Sequence, residues 1–244
     1  EADVSPPPKE EKKIEVGFKE GVPQYTSSPL GKGVAFDGKL SFDAGKVATF
    51  DYRDRVHDFK DRFAISAWFY PESENSGAIV TRLSDNVTEQ ENNLPKGRGY
   101  GLFFVNGKVH FNLIGVWADD SFRVETEAKV PIKAWHHVLA TFDSLQPYDK
   151  VEIYVDGQKQ QLKVNNNRLF RQFFNNGASL RIGAGGGPQW SFKGLLDEVR
   201  IYKALPSAEQ VAILSCPDSL PEIAAIQPQM RSEGQRLKIR NAFL

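Results

Sequence analysis

The chain has 244 residues, of which 40% are hydrophobic, and its 31 basic residues balance its 31 acidic residues. This length fits one large all-β domain, and the balanced charge argues against a nucleic-acid or anionic-membrane partner, because both favour a strongly basic face. No run of about 18 apolar residues is present, so the sequence contains no membrane span. The single cysteine, Cys216, excludes an internal disulfide, and without a haem-attachment motif we expect no haem in the chain.

The first 13 residues are polar and rich in proline. Three consecutive prolines stand among charged residues, a composition that favours an extended polyproline conformation and cannot form a packed core. We therefore expect residues 1–13 to be a linker from a preceding domain.

Residues 14–205 contain short runs of alternating apolar and polar residues, broken by Gly, Asn and Asp. This period of two predicts antiparallel β-strands. Two turns, Asn106-Gly107 and Asp156-Gly157, have the composition of two-residue hairpin loops, in which both central residues adopt positive φ. The predicted fold class is therefore all-β, an antiparallel β-sandwich of two curved sheets.

The turn at Asn106-Gly107 also predicts how its two strands pair, because side chains alternate between the two faces of a strand. The predicted apolar face consists of Tyr100, Leu102, Phe104, Val109, Phe111 and Leu113. The opposite face carries Phe103, His110 and Asn112, a mixed set that predicts a solvent-facing surface. A ligand that lies across this sheet is expected on the face of His110 and Asn112.

A strand and a capped helix close this region. The strand is L-L-D-E-V-R-I-Y at Leu195–Tyr202, and the helix begins after Ser207, whose partner three residues later, Gln210, completes a capping box. The sequence of residues 215–244 predicts a partly helical C-terminal extension, in which Pro228 separates two short helical pieces. We expect this extension to lead to a further domain.

Four short motifs carry a resemblance to a known family. They are F-D-G at residues 36–38, F-A-I-S-A-W at 63–68, W-H-H at 135–137 and L-L-D-E-V-R-I-Y at 195–202. In this order they resemble the laminin-G-like, concanavalin A-like jellyroll family over about residues 14–214. The resemblance implies a jellyroll sandwich with one short C-terminal helix.

The extension is similar to the segment that follows this jellyroll in large bacterial multidomain proteins with cytochrome-c-like modules. That likeness implies an internal domain of a larger extracytoplasmic protein, with the flanking domains of the same polypeptide as partners.

The resemblance also implies a structural calcium site, because concanavalin A-like domains often hold one Ca²⁺ between an early turn and a late strand. Calcium is bound by carboxylate and carbonyl oxygens. Carried onto this chain, the metal ligands are Asp37 of F-D-G and Asp197 of L-D-E-V-R. The alternative is that Asp37 begins an Asp-Gly turn, and that Asp197 caps backbone amides or pairs with Arg200.

Catalytic patterns are missing from the sequence. Glycoside hydrolases of this fold use E-x-D-x-x-E, which places two carboxylates on one strand face, and the only E-x-D in the chain, at residues 1–3, lacks the second glutamate. His136 and His137 are adjacent in a predicted strand and therefore point to opposite faces, so they cannot bind one ion together. We predict that the chain is not an enzyme.

Two segments combine an aromatic ring with polar side chains, as carbohydrate recognition requires. They are residues 117–123 and the glycine-rich residues 185–190. The predicted ligand-binding residues are Trp117, Asp119, Asp120, Arg123 and Trp190, with His110 and Asn112 on the adjoining face. The alternative is that Trp190 plugs the end of the sandwich and that Trp117 covers a sheet edge.

These observations leave three functions to compare. The first is a non-catalytic carbohydrate-binding module of a secreted bacterial protein, with a polysaccharide or glycan as partner and an extracytoplasmic location. The second is a structural or interaction spacer without a glycan ligand. The third, a glycoside hydrolase, is disfavoured by the missing carboxylate motif.

Overall fold

The computed structural model of the chain describes residues 16–48, 50, 62–84, 90–91, 94–143, 151–169 and 176–243. The predicted linker at residues 1–13 lies outside the described residues. In chain order, the strands are β1 (Gly17–Lys19), β2 (Gln24–Ser28), β3 (Gly31–Asp37), β4 (Ser41–Asp43), β5 (Arg62–Pro71), β6 (Gly77–Leu83), β7 (Gln90–Glu91), β8 (Leu94–Pro95), β9 (Gly99–Val105), β10 (Lys108–Val116), β11 (Asp120–Thr126), β12 (His136–Asp143), β13 (Val151–Val155), β14 (Gln158–Lys159), β15 (Leu162–Asn167), β16 (Arg181–Ile182) and β17 (Lys193–Tyr202). The helices are α1 (Ala208–Leu214), α2 (Leu220–Ala225) and α3 (Glu233–Ala242), and short 3-10 turns occupy Pro188–Trp190 and Pro228–Met230.

Two antiparallel sheets form a sandwich, as predicted. The front sheet has eight strands in the order β1-β4-β16-β6-β9-β10-β11-β15, and the back sheet has seven in the order β14-β13-β12-β5-β17-β3-β2. Strands β7 and β8 pair separately. Many neighbouring strands are distant in sequence, which is typical of a jellyroll.

Both predicted hairpin turns are confirmed. Asn106 and Gly107 have φ angles of 55° and 74°, and Asp156 and Gly157 have φ angles of 50° and 77°, as a type I′ turn requires. Strands β9 and β10 pair in the predicted register, with each residue of the predicted apolar face opposite its expected partner. All six residues of that face are buried in the core between the sheets.

The centre of this core is aromatic. Phe63 of β5 is fully buried, and its ring stacks on Phe50 with centroids 3.9 Å apart. The rings of Tyr100, Phe111 and Phe142 lie within 6.1 Å of Phe63. Burying each such side chain contributes about 1.5–3 kcal/mol, so this cluster holds the two sheets together.

Helix α1 covers part of the outer face of the back sheet, where Val211 packs against Ala64 and Leu139. The predicted capping box is confirmed, because Ser207 Oγ accepts from Gln210 N at 3.3 Å and Gln210 Oε1 accepts from Ser207 N at 2.8 Å. The same box begins α2 and α3. These two helices lie on either side of the 3-10 turn that begins at Pro228.

Lys238 of α3 joins the extension to the chain that follows α1. Its Nζ donates to the carbonyl oxygens of Cys216 at 2.9 Å and Asp218 at 2.7 Å. We expect Lys238→Met to lower the free energy of unfolding by about 1.5 kcal/mol, because hydrogen bonds from a charged donor are lost. Urea denaturation measures this loss. The exposed Lys203→Met is the control, and equal stability of the two variants would show that Lys238 anchors nothing.

Candidate functional site

A row of mostly polar residues crosses the outer face of the front sheet. Asn112 of β10 lies opposite Gly101 of β9 and Arg123 of β11, and the pairing continues through β6, β16 and β4 on one side and β15 on the other. The polar row consists of Asp43, Arg181, Thr81, Gly101, Asn112, Arg123 and Asn166. Neighbours along the strands, such as Phe111 and Val80, belong to the inter-sheet core, so the row faces outward. Its six strand-to-strand steps span roughly 29 Å.

One half of the polar row lies under aromatic side chains. Phe103, Trp117 and Trp190, here called the aromatic layer, belong to a second hydrophobic cluster on this face. The ring of Phe103 lies over Gly101, where an added Cβ would be 2.5 Å from Phe103 Cε2. The guanidinium of Arg123 stacks on Trp117 with its Cζ 3.8 Å from the ring centroid, a cation–π contact.

The prediction of a solvent-facing surface is wrong at these positions. Phe103, His110 and Asn112 are at most 3% exposed, and the aromatic layer that includes Phe103 packs on this face. The structure does bring Trp117, Trp190, Arg123 and Asn112 to one face of the front sheet. Both indoles are buried in the hydrophobic cluster on this face.

The remaining predicted ligand-binding residues have local roles or lie apart. Asp119 is exposed in the turn at residues 117–119. Asp120 is buried, with its carboxylate against Gly115, where an added Cβ would be 2.6 Å from Oδ2. His110 Nε2 lies 3.1 Å from the carbonyl of Val105, and burial lowers the pKa of His110 although Glu125 opposes this effect.

The other end of the polar row opens into a groove of about 500 Å³. This charged groove is lined by Lys19, Glu20, Lys39, Ser41, Asp43 and Arg181, together with Ala184, Gly185, Gly187 and Ser191. Arg181 and Asp43 lie opposite each other on β16 and β4, so the groove continues the polar row. None of its charged side chains was predicted from the sequence.

A glycine-rich loop forms one wall of the charged groove. Gly185 and Gly187 have φ angles of 132° and 122°, which L side chains rarely adopt. A Cβ at Gly185 would overlap Thr81 Oγ1, which donates to the carbonyl of Ala184 at 2.7 Å. The loop backbone therefore lies directly on the sheet.

Asp37 and Asp197 do not form a shared calcium site. Asp37 lies opposite Lys193 in the β3–β17 pairing, so Asp197 is four positions away, roughly 13 Å along the strand, whereas Ca²⁺ ligands lie about 2.3–2.6 Å from the ion. Asp37 Oδ1 accepts from the amides of Leu40 and Lys39 at 2.8 Å, bonds that lower its pKa.

Asp197 is also engaged locally. Its Oδ2 accepts from Ser28 Oγ, and its Oδ1 accepts from the amide of Glu198. These are the turn and capping roles that the sequence analysis gave as the alternative. Among the residues that the structure describes, no cluster of three or more His, Cys, Asp or Glu side chains could hold a metal ion.

The two adjacent histidines, His136 and His137, lie on β12 of the back sheet. Asp156 of the second hairpin turn contacts His136 Nδ1 at 2.7 Å and accepts from the amide of His137 at 2.8 Å. His137 lies against Trp68 with ring centroids 5.4 Å apart. Burial lowers the pKa of His137 to about 4.

His137 should make the stability of the protein depend on pH. The unfolded chain binds a proton at this histidine below about pH 6.5, but the folded protein binds it only near pH 4. Stability is therefore retained above pH 6.5 and falls by about 3 kcal/mol as the pH drops from 6.5 to 4. Urea unfolding at several pH values measures this slope. His137→Phe should make this slope shallower, and an unchanged slope would contradict the assignment.

An antiparallel jellyroll with a polar groove on the outer face of one sheet defines a lectin-like β-sandwich domain. The family model of the concanavalin A-like lectin/glucanases superfamily matches residues 42–212, more than half of the chain. The chain therefore belongs to this superfamily, as its motifs predicted. No curated protein sequence matches the chain.

Solved structures share the fold at low sequence identity. Domain 4 of the extracellular arabinanase AbnA from Geobacillus stearothermophilus, in complex with arabinotriose, is 17% identical, with a TM-score of 0.50 over 81% of this chain and 82% of that one. The sialidase CBM40 of Ruminococcus gnavus, bound to sialyllactose, is 15% identical, with a TM-score of 0.54 over 81% and 97%. The binding domain of Paraclostridial Mosquitocidal Protein 1 is 15% identical, with a TM-score of 0.53 over 82% and 47%.

Proposed function

We propose that the chain is a non-catalytic carbohydrate-binding module and that a glycan binds in the charged groove. The carrying observation is the groove itself, about 500 Å³ of open space lined by carboxylates, cationic side chains and a hydroxyl. Carboxylates such as Asp43 and Glu20 accept hydrogen bonds from sugar hydroxyls, and Arg181 donates from a rigid planar group. The oligosaccharides bound by the arabinanase domain and by the CBM40 domain, which share this fold, support the proposal.

The proposed partners are a glycan and the flanking domains of the same polypeptide. A module that binds polysaccharide would act outside the cytoplasm, so an extracytoplasmic location is part of the proposal. In the part of the chain that the structure describes, no helix is long and apolar enough to cross a membrane.

Binding in an open groove is expected to be weak, in the micromolar to millimolar range, because the groove buries little ligand surface. Isothermal titration calorimetry with arabinotriose, cellotriose, maltotriose and sialyllactose measures this affinity. Arg181→Ala should weaken binding by about tenfold or more, since a hydrogen bond from a charged donor is worth about 1.5–3 kcal/mol.

Arg62→Ala is the matched control. Arg62 lies on the back sheet and pairs with Asp143 at 2.9 Å, away from the groove, so its loss should leave binding unchanged. If wild-type protein binds none of these sugars, the spacer function replaces this proposal. If Arg181→Ala binds like wild type, the glycan site lies elsewhere.

The hydrolase alternative is tested with the same sugars. Two carboxylates, Glu20 and Asp43, line the charged groove, and a pair of carboxylates is the minimum for glycoside hydrolysis. We expect no release of reducing sugar. Release that Asp43→Asn abolishes would assign catalysis to the groove.

A further inference from the structure

We propose that the turn at residues 117–119, here called the Trp117 turn, is a movable cover over a second glycan subsite. This covered subsite consists of the part of the polar row formed by Asn112, Arg123 and Asn166. The inference rests on the proposed glycan-binding function and extends it, because it makes the ligand an oligosaccharide that reaches beyond the charged groove.

The main observation behind this proposal is the burial of Asn112. Its side chain is 1% exposed, and among the residues that the structure describes neither Nδ2 nor Oδ1 has a hydrogen-bond partner. Buried amides in native proteins are almost always hydrogen-bonded, and each exception needs an explanation. A sugar hydroxyl both donates and accepts, so a pair of neighbouring hydroxyls would give Oδ1 and Nδ2 one hydrogen-bond partner each.

A second unsatisfied group lies in the same layer. Trp190 is 7% exposed, and its indole N–H has no hydrogen-bond partner in the described part of the chain. Trp190 and Trp117 belong to one hydrophobic cluster that also contains Phe103. Next to Asn112, Gly101 has no side chain, and the ring of Phe103 occupies the space above it. The aromatic layer therefore covers polar groups that it cannot satisfy.

The Trp117 turn has the attachments of a cover. It connects β10 to β11, directly after a bulge between Ile114 and Val116. Ser121 Oγ donates to the carbonyl of Trp117 at 2.6 Å, and Asn166 Nδ2 donates to the carbonyl of Ala118 at 3.0 Å. When the turn moves away, Ser121 and Asn166 stay on the sheet, and their side-chain donors become available to a ligand.

The length of the row determines the class of ligand. From Arg181 to Asn112 there are three strand-to-strand steps, roughly 14 Å in total. One sugar ring cannot span this distance, so a ligand that contacts both residues is an oligosaccharide. We expect hexasaccharides to bind more tightly than the corresponding trisaccharides, and to require both ends of the row.

Asn112→Leu separates stability from binding. The substitution removes an unsatisfied buried amide and keeps a similar shape, so the melting temperature should rise by about 2–4 °C. Affinity for arabinohexaose, cellohexaose or maltohexaose should fall about tenfold, while affinity for the corresponding trisaccharides should change little. Ser66→Ala is the control, because Ser66 Oγ is also buried without a partner, but on the outer face of the back sheet. It should raise the melting temperature and leave binding unchanged.

The indole ¹⁵N–¹H signals of the four tryptophans give a second readout that does not depend on a variant. Added hexasaccharide should shift the signals of Trp117 and Trp190 and leave those of Trp68 and Trp135 unchanged. A lower melting temperature of Asn112→Leu, or unchanged signals of Trp117 and Trp190 when wild-type protein binds the sugar, would overturn the covered subsite. Arg181-dependent binding in the latter case would leave the proposed function intact, whereas absence of all sugar binding would overturn both.

Discussion

Replacing Phe104 by alanine is expected to lower the free energy of unfolding by about 3–5 kcal/mol, the usual loss for a large core deletion. The side chain is completely buried between the sheets, and its ring lies 5.5 Å from that of Phe69 on the opposite sheet. The deletion leaves a cavity that two paired sheets cannot close without breaking their hydrogen bonds. Urea denaturation at pH 7 measures the loss.

Phe243→Ala is the control for this deletion, since Phe243 is 83% exposed and its removal creates no cavity. Its stability should equal that of wild type within about 0.5 kcal/mol. A loss below about 1 kcal/mol for Phe104→Ala would show that this side chain is not packed in the core between the two sheets.

Gly185→Ala is expected to destabilise the protein by about 3 kcal/mol and to abolish glycan binding in the charged groove. Two costs combine. The φ angle of 132° is strained for alanine, at about 1–3 kcal/mol, and the new methyl group would overlap Thr81 Oγ1, an overpacking cost of about 1–3 kcal/mol. The loop must move off the sheet, and it then no longer forms the groove wall.

Gly177→Ala separates these two costs. Gly177 also has a positive φ, 69°, but among the described residues no atom beyond its chain neighbours lies within 4 Å of an added Cβ. This variant should lose only about 1–2 kcal/mol through backbone strain and bind sugars normally. Thermal unfolding and titration of both variants measure the difference, and equal losses for the two would show that the loop does not rest on Thr81.

Local sequence signals predicted the fold well. The pair Asn106-Gly107 requires a tight turn, and this turn alone determines which residues of β9 and β10 lie opposite each other. Ser207 and Gln210 likewise determine the start of α1, because both hydrogen bonds of the capping box form within one helical turn. Such interactions between near neighbours can be predicted from sequence.

The site depended on contacts between distant parts of the chain and was predicted only in part. The exposure of Asn112 could not be predicted, because Trp190, far along the chain, helps to cover that face. Asp43 and Arg181 lie on strands of three and two residues, too short for an alternating pattern to be recognised. The motif resemblance supplied Asp37 and Asp197 as residue types, but the β3–β17 register determines their separation.

Burial of the front sheet on both faces has a consequence for folding errors. Strand β9 is buried along its whole length, and β10 is buried at all but its end residues. Misaligning these strands by one residue would exchange one apolar layer for another, so solvent exposure alone penalises the error only weakly. The Asn106-Gly107 turn is therefore the main feature that selects the correct alignment of the two strands. Substitutions in this turn would raise the yield of misfolded protein more than they would lower the stability of correctly folded molecules.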